Sequence, residues 1–100
     1  MAVTTAFLTK VKTALRVSYT NTSIDNQITD LIEEAILDMT ATADIKPFTS
    51  ESADAMQTGA VIAYVSYRWY NEDRYFASYN DIKTKMALSG KYRSVMTDEE

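Results

Sequence analysis

Fourteen carboxylates, ten Lys or Arg side chains and seven tyrosines are the groups in this 100-residue chain able to move a proton or hold an ion, because it contains neither His nor Cys. Without His the commonest general base and the commonest metal ligand are missing. Without Cys there is no thiolate chemistry, no disulfide framework and no Cys-based zinc site. Acid–base catalysis would have to come from carboxylates, Lys or Tyr. The densest acids, around Asp30, Glu33 and Glu34, sit on the solvent side of an amphipathic segment, where a solvated helix face accounts for them. No Gly-rich loop, Walker motif, EF-hand loop or nucleophile elbow is present. The reading is therefore of a protein that is not an enzyme, with no catalytic, cofactor-binding or metal-binding residues and no cofactor.

Association is the chemistry left. Seven Tyr, three Phe and one Trp are a heavy aromatic load, concentrated between Tyr64 and Tyr79. Such rings can fill a core with a wet hydroxyl edge, or form an interface where Tyr, Trp and Arg are enriched. A core of this size cannot hide them all, so at least two are expected to face a partner. A base-stacking platform would need more interleaved Lys and Arg than Arg68 and Arg74, which Glu72 and Asp73 offset. The net charge of −4 argues the same way, against sequence-specific nucleic-acid binding. Charge is also segregated: residues 1–20 carry +3, residues 21–54 carry −7 and residues 80–95 carry +3. Blocks of opposite sign suit complementary contact with neighbours.

The elements that position these groups are helical. Two Gly and one Pro are too few for a turn-rich strand fold. The chain reads as all-α, a small bundle of about four helices with a long central third helix, in a single domain over 1–100 whose last residues, about 95–100, are frayed. In the first helix Phe7, Leu8, Val11, Ala14 and Leu15 share a face, capped by Thr4 or Thr5. The second is capped by Thr22 or Ser23, and Ile24, Ile28, Leu31, Ile32, Ala35 and Met39 form its stripe; Leu37 falls on the polar side, where a monomer has no need of it. The third begins at Thr49 or Ser50, is apolar almost all round from Met56 to Tyr70, and offers Gly59, Ala60 and Ala63 for close helix approach. The fourth runs from about Ser78 to Ser89, with Tyr79, Ile82 and Met86 inward and Gly90 as C-cap. Nothing resembles a secretory signal or a membrane span, so no membrane partner is expected.

Three stretches carry a resemblance. Leu8 to Val17, reading Leu-Thr-Lys-Val-Lys-Thr-Ala-Leu-Arg-Val, is similar to the opening pattern of the head-tail connector (adaptor) proteins of tailed bacteriophages and prophages. Ile28 to Met39 resembles that family's second helix. Ala63 to Arg74, closing in Trp69-Tyr70-Asn71-Glu72-Asp73-Arg74, resembles its aromatic stretch, with the closing motif one residue longer. Lys91-Tyr92-Arg93 is similar to its end. The resemblance implies a structural subunit of the virion neck, assembled in the host bacterial cytoplasm, that binds beneath the portal protein. Copies would form a homo-oligomeric ring, twelve-fold, around the DNA channel, with tail-completion or neck proteins docking on it. In dilute solution the chain is expected to be a monomer that closes into a ring on a portal template or at high concentration. The expected interface residues are Leu37, Glu33, Trp69, Arg74, Tyr75, Lys83, Lys85 and Arg93, the acidic second helix of one copy facing basic residues of the next. Alternatives are another phage neck or tail-completion protein, and a small helical regulatory protein-binding module.

Overall fold

The computed structural model describes residues 3–17, 21–43, 45–46, 48–49, 51–89 and 91–92. Four helices follow in order, α1 (Thr5–Leu15), α2 (Thr22–Ala43), α3 (Ala55–Tyr70) and α4 (Asp73–Ser89). No strand forms among the described residues, and the fold is all-α as expected. α2 and α3 each pack on all three other helices, so α3 is not singled out as the central one. It is not the long helix: it has 16 residues, against 22 in α2 and 17 in α4. α2 continues beyond its apolar stripe through Thr40 and Thr42, whose hydroxyls donate to the Ile36 and Asp38 carbonyls.

The periodic residues meet in one apolar cluster. Phe7, Val11 and Leu15 come from α1, and Ile28, Ile32, Ala35, Ile36 and Met39 from α2. α3 adds Ala60, Val61, Ala63, Tyr64 and Val65, while α4 adds Tyr79 and Met86. Ile45, Phe48 and Tyr92 close one end. Each fully buried Ile or Leu here contributes about 1.5–3 kcal/mol relative to exposure. Ala14 is exposed, and Leu8, Ile24 and Leu31 are only half-buried at the edge of the cluster. Gly59 is not demanded by close approach, since an added Cβ would meet only Ile82 Cδ1 at 3.9 Å, an ordinary contact.

Helix ends refine the expected boundaries. Thr4 Oγ1 accepts from the Phe7 N–H at 3.2 Å and caps α1 as anticipated. α2 is capped not by Thr22 or Ser23 but by Asn21, whose Oδ1 accepts from the Ile24 N–H at 3.2 Å. Thr49 does not start α3; with Ser52 it closes a turn, and Asp54 caps the helix in a reciprocal box with Gln57, each accepting from the other's backbone N–H at 2.9 Å. α1 and α3 stop at residues in the left-handed region, Arg16 (φ 63°) and Asn71 (φ 58°), in place of glycine. α4 starts five residues earlier than Ser78, because Tyr75 and Phe76 pack back onto Tyr70 and Tyr67 and hold its first turn. Pro47, Gly90 and the segment 95–100 lie outside the described residues.

Candidate protein–protein interface

What the bundle keeps for itself defines what it offers outward. The α3–α4 seam is aromatic: Tyr64 lies 5.0 Å from Tyr79 edge-on, Tyr67 lies 4.7 Å from Phe76, and Tyr70 lies 5.9 Å from Tyr75. Most of the surplus rings are therefore engaged within the chain. The hydroxyls of Tyr64, Tyr70, Tyr75 and Tyr79 have partners within the chain. Tyr64 donates to Glu34, which also pairs with Arg68; Tyr70 donates to the Leu15 carbonyl; Tyr79 donates to Asp38 Oδ2 at 2.5 Å. Glu34 and Asp38 thus leave the solvent side of α2 and clamp α3 and α4. Burial and the Asp38 carboxylate push the Tyr79 phenol far above its ordinary value of 10.0. The Tyr64 phenol is raised for the same two reasons.

A second polar knot closes the other end of α3. Tyr92 donates to Asp54 Oδ2 at 2.7 Å, Lys91 Nζ lies 3.5 Å away, and the Lys46 N–H donates to the Tyr92 carbonyl at 2.6 Å. The Gln57 N–H and the Tyr92 hydroxyl hold the Asp54 carboxyl below its usual range, and the bond that Tyr92 donates to Asp54 raises its phenol. On the α1–α2 side Lys12 Nζ meets Asp25 Oδ1 at 2.7 Å.

The expected interface residues fall into distinct places. Leu37 is 64% exposed on the outer face of α2, one turn from half-buried Glu33. Trp69 is half-buried against the core and, with Gln27, Asp30, Leu31 and Arg68, lines a groove of about 490 Å³ between α2 and α3. Arg74 stacks 4.8 Å over Tyr75 and pairs with Glu72 at 2.9 Å. Beside them Arg16, Ser66 and Tyr70 line a smaller depression. Lys83 faces inward: its Nζ donates to Thr42 Oγ1 at 2.9 Å and lies 3.5 Å from Asp38, leaving the side chain 15% exposed. Lys85 is exposed and, among the described residues, pairs with Asp81, one turn away, at 3.1 Å. Arg93 lies outside the described residues. Sequence reasoning brought neither Leu31 nor Gln27 to the groove, since the groove exists only once α2 and α3 cross.

The described residues contain no group of three or more acids placed to hold a metal ion, and no helix long and apolar enough to cross a membrane. A sequence model of the phage connector proteins matches residues 7–93. The chain belongs to the phage connector protein family. No curated protein and no solved structure matches it. The resemblance seen in the three sequence stretches is thereby borne out. The connector is a structural virion component of a tailed phage, made to contact other virion proteins.

Proposed function

We propose that the chain is the repeating subunit of a head-tail connector ring, seated beneath the portal and joining capsid to tail around the DNA channel. The ring is taken as twelve-fold, with tail-completion proteins docking on its distal side. Support comes from family membership over residues 7–93, together with one surface observation: Leu37 stands exposed amid the acids of α2. A monomer gains nothing from its exposure, whereas a subunit contact would bury it. In this reading Glu33 and Leu37 form one side of the contact, and Lys85 with Arg93 belong to the other. Lys83 braces α4 on α2 and so positions Lys85; Trp69 belongs with Glu33 and Leu37, while Arg74 and Tyr75 face neighbouring virion proteins. Rim ion pairs contribute roughly 0–1 kcal/mol each, so charge sets the register and apolar contact holds it. An acidic balance also suits a channel wall past which DNA must slide without phosphate-driven sticking.

The experiment is co-sedimentation of the purified chain with the portal assembly of the same phage, followed by electron microscopy of the complex. A ring under the portal, weakened by Leu37→Glu with helicity and melting unchanged, is the expected result. Failure of the parent chain to bind the portal at any concentration would sink the reading.

A further inference from the structure

The most exposed large apolar side chain among the described residues is Leu88, at 81%, in the last turn of α4. Nothing in the bundle uses it. It is bracketed by exposed Lys85 and Lys91, whose ion-pair partners among the described residues are exposed or half-exposed carboxylates, Asp81 at 3.1 Å and Asp54 at 3.5 Å. Such pairs exchange readily for a better-placed acid. The groove between α2 and α3 differs: its lining cation, Arg68, is paired with Glu34. Leu31 and Trp69 give it apolar walls and Asp30 lines it as well, with Glu33 one turn further along α2, outside the groove. Neither acid makes an ion pair among the described residues.

Knob and groove lie at opposite ends of the molecule. α4 runs antiparallel to α3, with Phe76 beside Tyr67 and Lys91 beside Asp54. Leu88 therefore sits toward the start of α3 and the groove toward its end, roughly 20 Å apart at the helical rise. One chain cannot fill its own groove. Two different, mutually complementary patches on one subunit make a heterologous contact, which closes into a ring when its rotation divides the circle.

We propose that the last turn of α4 in one copy inserts Leu88 into the Leu31–Trp69 groove of the next, with Lys85 and Lys91 approaching Asp30 and Glu33. This deepens the ring reading and rests on it. It names the donor and acceptor surfaces and makes the contact head-to-tail.

The chain has no cysteine, so single thiols can report the contact. Thr84→Cys, one turn before Leu88, is mixed with a second chain carrying Gln27→Cys at the groove. Both positions are exposed. The mixture is assembled on the portal, treated with a short bis-maleimide and run on a denaturing gel. The control mixture pairs Thr84→Cys with Thr9→Cys on the outer side of α1. The expected yield of mixed dimer is roughly tenfold or more above the control, as tethered neighbours have a high effective concentration. Adding Leu88→Glu to the Thr84→Cys chain should return the yield to the control level, with helicity unchanged. If light scattering shows an oligomer but the yield stays at the control level, or ignores Leu88→Glu, the contact lies elsewhere. Leu88 then faces another virion protein and this inference fails alone. If no oligomer forms with portal present, the ring reading fails and takes the inference with it.

Discussion

Removing the Asp54 carboxylate tests whether one residue both starts α3 and anchors the turn at 91–92. Asp54 accepts from the Gln57 N–H at 2.9 Å and from the Tyr92 hydroxyl at 2.7 Å. Loss of an N-cap side chain costs about 1 kcal/mol. Loss of the Tyr92 bond adds about 1 kcal/mol, the usual net worth of one hydrogen bond at a half-exposed site. Asp54→Ala should therefore destabilise by about 2 kcal/mol, or roughly 8–16 °C in melting temperature for a domain this size. Asp54→Asn keeps an oxygen for the Gln57 N–H, and Asn caps as well as Asp, so its loss should stay near or below about 1 kcal/mol. Tyr92→Phe alone should cost about 1 kcal/mol, and combined with Asp54→Ala it should add almost nothing further, a coupling of about 1 kcal/mol. Urea and thermal unfolding followed by helical circular dichroism measure all four. Equal losses for Ala and Asn at 54, or strict additivity with Tyr92→Phe, would refute the double role.

Tyr79→Phe removes the donor to Asp38 from a fully buried site but leaves Lys83 beside the carboxylate; a loss of about 1–2 kcal/mol in urea unfolding is expected, with the fold retained. Gly59→Ala should stabilise by roughly 0.5–1 kcal/mol, because the site is helical and the new methyl meets only Ile82 at ordinary distance. Stability should also depend on pH at both extremes. Asp54 binds its proton less readily folded than unfolded, so its contribution is full above its ordinary 3.8 and fades as pH falls below it. Tyr64, Tyr79 and Tyr92 hold their protons more tightly folded, so their contribution is full below 10.0 and is lost as pH climbs above it; Tyr79→Phe should flatten the alkaline limb of a melting-temperature profile.

The α2 stripe was legible because Ile28, Ile32, Ala35 and Met39 recur at helical spacing, and spacing is a local property. Ile36 was not, since beside Ala35 and Leu37 the sequence alone does not say which of three neighbours turns inward. The start of α4 was hidden by Asn71-Glu72-Asp73-Arg74, a polar run that reads as loop; its helix depends on Tyr75 and Phe76 reaching α3. Leu37 could be flagged because an apolar residue broke a polar face, and it is exposed as expected. Lys83 could not be told from Lys85, two residues along the same helix, because only the crossing of α2 over α4 brings Asp38 and Thr42 to one of them. The same crossing logic conceals the groove at Leu31 and Trp69. Surfaces made by one helix were readable; surfaces made by two were not.

The fixing of Tyr92 on two sides has a mechanical consequence. Its carbonyl is held by the Lys46 N–H and its hydroxyl by Asp54, so the residue lies like a crossbar over the connection between α2 and α3. A pull on the chain beyond position 92 does not meet α4 first, where tension along a helix end would unravel it turn by turn. It meets the crossbar, where both bonds must give way together, and the load passes into α2 and α3. In a structural subunit of a virion, traction on that end is thus borne by the middle of the bundle.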